Sequence, residues 1–232
     1  AYRSKAQDVW HISPFEFCTA AQFEQRKKSE DYYFIVITDN SFGKETSAGI
    51  KFLSMYKGNP KAGEGVEGLY KITSVPFCGA GWGDGRESAF LPAMLNAVQQ
   101  QALSILGREF NIGDVVRVKG SNALGGWPGK IILADSDLAF TADSKTLSSP
   151  GGAISITDSD TVIEAMENRE NCLVGYVVAP EAPEKGSVCF TYLINPATCE
   201  LHYMHRRNIS PSSPAGFTKA ELKGFALHSF EK

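Results

Sequence analysis

Several short stretches of this chain are rich in aromatic and β-branched residues, and one longer stretch has a helical period. The clearest strand pattern covers residues 32–38, and residues 50–56 follow it after an Asp-Asn-Ser turn. Between Leu91 and Leu106 the apolar residues recur every three or four positions, with Ser88 as a suitable N-cap. The pattern therefore predicts a β-hairpin followed by a long helix.

Three further segments predict strands around this hairpin and helix. They are residues 9–18, where Pro14 indicates an edge or a bulge, and residues 115–119 and 130–134. A helix between the third and fourth strands is typical of an OB-fold, a Greek-key barrel that often binds oligonucleotides. We therefore expect a mainly β chain with a few helices, in which residues 1–143 form an OB-fold nucleic-acid-binding domain.

The last third of the chain has its own pattern, after a Ser/Gly/Pro linker at 144–152. It predicts a short helix capped by Asp158 or Asp160, then three strands, then a terminal helix, at residues 161–168, 173–178, 188–195, 201–208 and 218–230. Residues 153–232 are expected to form a C-terminal α+β extension packed on the barrel, or a small second unit.

A glycine-rich region separates the predicted hairpin from the long helix. A loop at residues 58–68 precedes a short apolar piece at 69–77, and the sequence GAGWGDG at 79–85 surrounds Trp82. No Lys-Ser/Thr pair follows these glycines and no clear strand precedes them, so neither a P-loop nor a dinucleotide-binding turn is indicated. The region predicts a flexible loop bearing Trp82, with a nucleic-acid clamp as the alternative.

Composition and charge limit the function classes. The chain has no apolar run of about 18 residues, so a soluble protein is expected. Its net charge of −3 argues against nonspecific binding of nucleic acid. The charge is uneven, however, because residues 1–140 carry 15 basic and 15 acidic side chains and are neutral. The odd count of five cysteines indicates a reducing compartment, the nucleus or the cytosol.

Aromatic and basic side chains on the predicted strands are the candidate ligand contacts. Single-stranded bases stack on aromatic rings, and Lys and Arg contact the phosphates. The candidates for stacking are Tyr32, Phe34, Phe52, Tyr56, Trp82 and Trp127, and the candidates for charge are Lys51, Lys57, Arg117, Lys119 and Lys130.

Strand alternation divides these candidates between two faces. Arg117 and Lys119 lie on one side of their predicted strand, opposite Val116 and Val118, and are expected to point outward. Phe52 and Tyr56 lie opposite Lys51 and Lys57, so the two pairs cannot contact the same ligand. The alternative for the aromatic residues is that they form part of the core.

Catalytic and metal-binding patterns are weak. Cys199, His202 and His205 have a CxxHxxH spacing, but alternation on a strand directs neighbouring members to opposite faces. A cysteine nucleophile requires a base that is close in space, and no local catalytic motif is present. No metal, no cofactor and no enzymatic activity are expected.

The hairpin and the fourth predicted strand resemble the telomere end-protection (POT, protection of telomeres) OB-fold family. The shared features are Asp31-Tyr32 before a strand that ends at Asp39, and Gly113-Asp114-Val115-Val116-Arg117 at the start of the fourth strand. The resemblance covers roughly residues 9–140. It implies binding of a single-stranded telomeric 3′ overhang with G-rich bases stacked on aromatic residues, a nuclear location at chromosome ends, and no catalysis. The resemblance further implies that Arg117 and the aromatic residues of the second and third strands contact the DNA.

The chain is thus expected to bind single-stranded telomeric DNA in an OB-fold groove and to protect chromosome ends. Other telomere proteins are the further partners considered, and no membrane is expected. Two alternatives stay open. The barrel could be a protein-interaction module in a larger nuclear complex, which the negative net charge favours, or it could bind single-stranded RNA.

Overall fold

A computed structural model of the protein describes residues 2–42, 45, 49–81, 85–106, 127, 129–141 and 154–228. The helices of this part are α1 (Tyr2–Val9), α2 (Ala20–Arg26), α3 (Arg86–Leu106), α4 (Ser159–Glu167) and α5 (Lys219–His228), with a 3-10 turn at Asp135–Asp137. Its strands are β1 (Tyr33–Asn40), β2 (Ile50–Lys57), β3 (Tyr70–Gly79), β4 (Ile131–Ala134), β5 (Ile154–Thr157), β6 (Leu173–Val178), β7 (Val188–Asn195) and β8 (Glu200–Asn208). None of these helices has both the length and the hydropathy needed to span a bilayer.

The first sheet is an antiparallel meander of β1, β2 and β3, with β2 in the centre. All eight residues of β1 pair with β2, from Tyr33 opposite Lys57 to Asn40 opposite Ile50. The pairing of β2 with β3 has two bulges, next to Phe52 and Tyr56. One face of this sheet packs against α3, where Thr73 Oγ1 donates a hydrogen bond to Gln101 Oε1.

The second sheet has five strands in the order β5-β4-β6-β7-β8. Its first three strands are parallel, whereas β7 and β8 continue as an antiparallel meander. Residues 188–195 of β7 are all buried, as expected of a strand covered on both faces. Helix α4 packs beside β4 and β6, and its N-terminus is capped by Asp158, whose carboxylate accepts from Thr161 N at 2.7 Å.

Two tyrosines of the second sheet join it to the outer edge of β3. The hydroxyl of Tyr176 donates to the carbonyl of Phe77 at 2.8 Å, and that of Tyr192 donates to the carbonyl of Pro76 at 3.1 Å. The ring of Tyr176 also stacks on Phe90 of α3, with centroids 4.0 Å apart. One hydrophobic cluster includes residues of both sheets and of α1, α3 and α4, so the two sheets share a core.

Helix α3 includes Pro92, which has no N–H to donate to the carbonyl of Ser88 one turn earlier. The ammonium group of Lys5 on α1 donates to that carbonyl at 2.9 Å instead. Lys5 also pairs with Glu167 at 3.2 Å. Helix α1 thus supplies the hydrogen bond that the proline removes, which explains how a proline is accommodated in the seventh position of a long helix.

The prediction of strands with a few helices is confirmed in its coarse form, because the described residues form a mixed α/β structure with two sheets. The described strands do not form a closed barrel. Strand β4, assigned from the sequence to the barrel, pairs with β5 and β6 in the second sheet. The segment 115–119, predicted to be the fourth barrel strand, lies outside the described residues.

Two local predictions are wrong. Residues 9–18 do not form a strand, because α1 extends to Val9, whose side chain joins the shared core together with that of Trp10. Residues 69–77 are not a short apolar piece, since Tyr70–Gly79 forms the ten-residue strand β3. The glycine-rich segment that follows therefore does connect a clear strand to a helix, because α3 begins at Arg86. Helix α2 and strand β5 were not predicted, whereas β1, β2, α3, β4, α4, β6, β7, β8 and α5 lie close to their predicted positions.

Candidate nucleic-acid interface

Alternation along β2 gives the first sheet two different faces. Phe52, Ser54 and Tyr56 lie on one side, and Lys51, Leu53, Met55 and Lys57 lie on the side of α3. Phe34 of β1 is opposite Tyr56 and shares its side. We call the side that carries Phe34, Phe52, Ser54 and Tyr56 the aromatic face.

At one end of the aromatic face, four aromatic rings form a group with two cations. Phe34 contacts Phe23 edge-on at 5.0 Å between centroids and lies 6.2 Å from Tyr32. The Arg26 guanidinium lies 5.7 Å from the ring centre of Tyr32, and the Lys71 ammonium lies 5.8 Å from that of Tyr56. Both distances are within the range of cation–π attraction.

Helix α2 positions two members of this group, Phe23 and Arg26. It begins at Ala20 with a capping box, in which Thr19 accepts from Gln22 N at 3.2 Å and Gln22 accepts from Thr19 N at 2.8 Å. The cap fixes the start of a seven-residue helix that is short for independent stability. Arg26 also pairs with Glu16.

The other end of the aromatic face has a second aromatic group with a cation. The ring of Phe42 lies 5.7 Å from Phe52 and 5.9 Å from Phe190 of β7. The guanidinium of Arg206 on β8 lies 5.1 Å from the ring centre of Phe42. The second sheet therefore contributes a ring and a cation to this end of the face.

A row of three hydroxyl groups lies between the two aromatic groups. Thr38 Oγ1 is 2.9 Å from Ser54 Oγ, which is 2.7 Å from Ser74 Oγ. Two hydrogen bonds use two of the three hydroxyl hydrogens of the row. Ser54 is fully buried, whereas Thr38 and Ser74 are half-buried and accessible from that face.

Exposure differs strongly among the four predicted aromatic residues of this face. Tyr32 is 42% exposed, whereas Phe34, Phe52 and Tyr56 are 8%, 6% and 6% exposed. Only Tyr32 has a largely accessible ring, whereas Phe34, Phe52 and Tyr56 are buried and Phe52 belongs to the shared core. The structure thus brings together the predicted residues Tyr32, Phe34, Phe52 and Tyr56, and gives them different roles.

The other predicted contacts lie elsewhere. Lys51 binds Asp39 at 2.7 Å and Lys57 lies 3.6 Å from Glu30, both on the α3 side of the sheet. Trp127 is half-buried against the core of the second sheet, and Lys130 is exposed just before β4. The remaining predicted residues, Trp82, Arg117 and Lys119, lie outside the described part of the chain.

Sequence analysis missed the cations and hydroxyl groups of the aromatic face. Arg26 lies on α2, which was not predicted, and Arg206 belongs to a strand that only the tertiary structure brings near Phe42. The position of Ser54 between Phe52 and Tyr56 was the available signal, because residues two apart on a strand share a face.

The CxxHxxH residues do not converge. His202 packs edge-on against Trp127, whereas His205 Nδ1 lies 3.3 Å from Glu221 Oε1, and Cys199 Sγ donates to the carbonyl of Pro196. Among the described residues, no group of three or more His, Cys, Asp or Glu side chains has an arrangement that could hold a metal ion.

Three buried cysteines have raised thiol pKa values. Burial raises the pKa of Cys172 to about 11, and it also raises the pKa values of Cys189 and Cys199. These thiols are therefore protonated at neutral pH, which makes them poor nucleophiles.

Away from the aromatic face, the buried carboxylate of Glu221 accepts several hydrogen bonds. Its Oε1 accepts from Thr191 Oγ1 at 2.7 Å and from Tyr203 at 3.1 Å, and its Oε2 accepts from the amide and hydroxyl of Thr218. Burial acts to raise the pKa of this carboxyl, but these hydrogen bonds outweigh it and hold the pKa below its ordinary value. Glu221 thereby anchors the start of α5 to β7 and β8.

Comparisons with protein-family models, with curated proteins and with solved structures find no match to this chain. A functional assignment therefore depends on the geometry of the aromatic face.

Proposed function

We propose that the aromatic face binds single-stranded nucleic acid, in the way that the sheet face of an OB-fold does. The observation that carries this proposal is the pattern of the face, in which two aromatic groups with associated cations flank a row of hydroxyls. Stacking surfaces, positive charge and hydrogen-bonding groups are the three elements that single-strand binding combines. The resemblance of residues 9–140 to the telomere end-protection family makes G-rich telomeric DNA the first ligand to test.

The length of the aromatic face limits the number of nucleotides that it can contact. Phe52 and Tyr56 are four residues apart on β2, which corresponds to about 13 Å. A sheet face of this kind stacks roughly two or three bases. One base is expected to stack on Tyr32, where the ring is exposed. Arg26, Lys71 and Arg206 are expected to contact the phosphates, and an end hydroxyl of the row a base edge or a phosphate.

The acidic net charge is compatible with this mechanism because the cations are local. The three cations lie at the two ends of one face, and this concentration matters more at short range than a net charge of −3 spread over the molecule. Affinity is expected to fall with salt, with a slope of about −0.7 for each phosphate contacted. The proposed role is nuclear, at chromosome ends, and does not involve catalysis.

Fluorescence anisotropy with labelled oligonucleotides tests the proposal. The ligands are a G-rich telomeric repeat, its C-rich complement, a scrambled strand and the RNA version of the repeat. Tight binding to the G-rich DNA alone would support telomeric recognition, and equal binding of all four would reduce the proposal to general single-strand binding. No binding to any of them at low salt would refute it.

Tyr32→Ala and Tyr33→Ala form a matched pair of variants. The two tyrosines are neighbours with similar exposure, 42% and 44%, but Tyr33 lies on the α3 side of the sheet. Loss of a stacked base is expected to cost about 1–3 kcal/mol in Tyr32→Ala. Tyr33→Ala should bind as the wild type does, and equal losses in both variants would show that the aromatic face is not the site.

A further inference from the structure

Among the strands that the structure describes, β1 is an edge of the first sheet. In the described part of the chain it pairs with β2 on one side only, and it has eight residues without a proline, a lysine or a bulge. Proteins usually protect edge strands with such features, because unpaired main-chain N–H and C=O groups accept another strand. An unprotected edge of this length is suited to the addition of a strand.

The side chains of this edge form an apolar stripe, which we define as Tyr33, Ile35 and Ile37. All three lie on the α3 side of the sheet, and Ile35 packs partly against the shared core. Tyr33 is 44% exposed and Ile37 is 37% exposed. An added strand with an apolar residue at every second position would cover the stripe and extend the core.

Acidic residues flank the apolar stripe. Asp39 ends it and has a side chain that is 60% exposed, and the exposed Asp31 lies two residues before Tyr33. Asp39 has one cationic partner, Lys51, and Asp31 accepts a hydrogen bond from the hydroxyl of Ser29. A strand with a basic residue at each end would complement both aspartates.

The same charges argue against a second copy of this chain as the occupant. An antiparallel copy that aligns the two apolar stripes places Asp31 of each chain opposite Asp39 of the other. A parallel copy in register places Asp39 opposite Asp39. Like charges directly opposite each other destabilise a strand pair.

We propose that the β1 edge accepts an extended peptide of a partner protein as an antiparallel fourth strand. This peptide is apolar at alternate positions and has Lys or Arg at both ends. The interaction is separate from the aromatic face, because the edge binds through the main chain and through the opposite side of the sheet. It therefore does not depend on the nucleic-acid proposal.

The probe for this proposal is a fluorescein-labelled peptide, Lys-Thr-Val-Thr-Val-Thr-Val-Thr-Lys, measured by anisotropy with the full chain at low salt. Two control peptides isolate the recognition elements. One replaces both lysines by glutamates, and the other has N-methyl groups on the alternate amides that would face β1. We expect both controls to bind at least about tenfold more weakly than the probe, through charge repulsion and loss of main-chain hydrogen bonds respectively.

Ile37→Lys and Tyr70→Lys form the matched protein variants. Both place a lysine at an exposed apolar position of an edge strand, but Tyr70 belongs to β3, at the other edge of the same sheet. Ile37→Lys should weaken probe binding by about tenfold or more, and Tyr70→Lys should leave it unchanged. Oligonucleotide binding, where present, should persist in both variants.

Three outcomes would overturn the proposal: no binding of the probe, equal binding of the N-methylated peptide, or equal binding by Ile37→Lys. The N-methylated peptide is tested on the wild-type chain, so the proposal stays refutable even where a variant fails to fold.

Discussion

The two edges of the first sheet differ in the groups that contact their main chain. The edge at β3 is closed, because Pro76 has no N–H to offer and the carbonyls of Pro76 and Phe77 accept hydroxyl groups from Tyr192 and Tyr176. The edge at β1 carries a run of apolar and β-branched residues, and in the described part of the chain only β2 pairs with it.

The difference shows how each edge of a small sheet selects the element that packs against it. Side-chain hydroxyls close the β3 edge against one particular partner, the second sheet, and so they fix the relative positions of the two sheets. A main-chain edge such as β1 selects only for an extended strand, and its side chains then select among strands.

The largest effect is expected from a buried ion pair on the closed side of the sheet. Arg86, at the start of α3, makes a bidentate pair with Asp137 after β4, at 2.8 and 2.6 Å. Arg86→Met should lower the free energy of unfolding by about 3–5 kcal/mol, because it leaves the carboxylate buried without its bidentate partner. Urea denaturation measures the loss.

The double variant Arg86→Met/Asp137→Leu serves as the control for this prediction. Replacement of both charges by apolar groups should recover much of the loss. A double variant as unstable as the single one would show that the pair does more than neutralise a buried charge.

Removal of one hydroxyl from the closed edge should have a smaller effect. Tyr176→Phe keeps the ring stacked on Phe90 but leaves the carbonyl of Phe77 buried without its donor, at a cost of about 1–3 kcal/mol. Tyr33→Phe removes an exposed hydroxyl at the open edge and should be neutral. The comparison between the edges would be wrong if the two variants lost equal stability in the same denaturation experiment.

The contact between α5 and the second sheet is made by the buried carboxylate of Glu221. The stability that this contact contributes should therefore depend on pH. The folded pKa of Glu221 lies below its ordinary value of 4.5, which means that folding favours the charged form. The resulting stabilisation is fully present above the unfolded pKa and is lost as the pH falls from about 4.5 through the folded pKa. Burial raises the pKa of Tyr192, so its hydroxyl does not titrate in that range.

Glu221→Gln isolates this contribution. The wild type should be more stable than the variant at pH 6 by about 1–2 kcal/mol, and the difference should shrink towards pH 3. His205, whose ring contacts the same carboxylate oxygen, is replaced by Gln in a parallel pair of proteins, so that its charge does not contribute. A difference that is constant between pH 6 and pH 3 would exclude Glu221 as the titrating group.

Local pattern was sufficient for the elements whose periodicity reflects burial. The apolar period of α3, the β-branched run of β1 and the apolar run of β2 lie where the sequence predicts them, because each buries apolar side chains against a neighbour. The sheet to which β4 belongs could not be predicted. A four-residue apolar strand fits either sheet, and its partners β5 and β6 are chosen by tertiary packing.

The candidate site was predictable in part for the same reason. Alternation along β2 already separates Phe52 and Tyr56 from the two lysines. The cations of the aromatic face come from α2, β3 and β8, which are distant in sequence, and no local signal relates Arg206 to Phe42. The incorrect prediction of a strand at residues 9–18 has a similar cause. Helix α1 is held in place by Lys5, which donates to the carbonyl of Ser88 that Pro92 cannot bond, and this contact joins residues far apart in sequence.

The smallest effect is expected at the open edge itself. Ile37→Thr keeps a β-branched residue in β1 and removes apolar surface that is already 37% exposed, so the free energy of unfolding should change by no more than about 0.5 kcal/mol. Amide hydrogen exchange adds a second measurement, because the outward N–H groups of β1 should exchange faster than the amides of β2, which pairs on both sides. A loss above about 1 kcal/mol, or slow exchange along all of β1, would mean that the edge is covered in the native chain. Neutral substitution together with fast exchange would leave main-chain groups and an apolar stripe available to a partner without cost to the fold, which is the condition that strand addition requires.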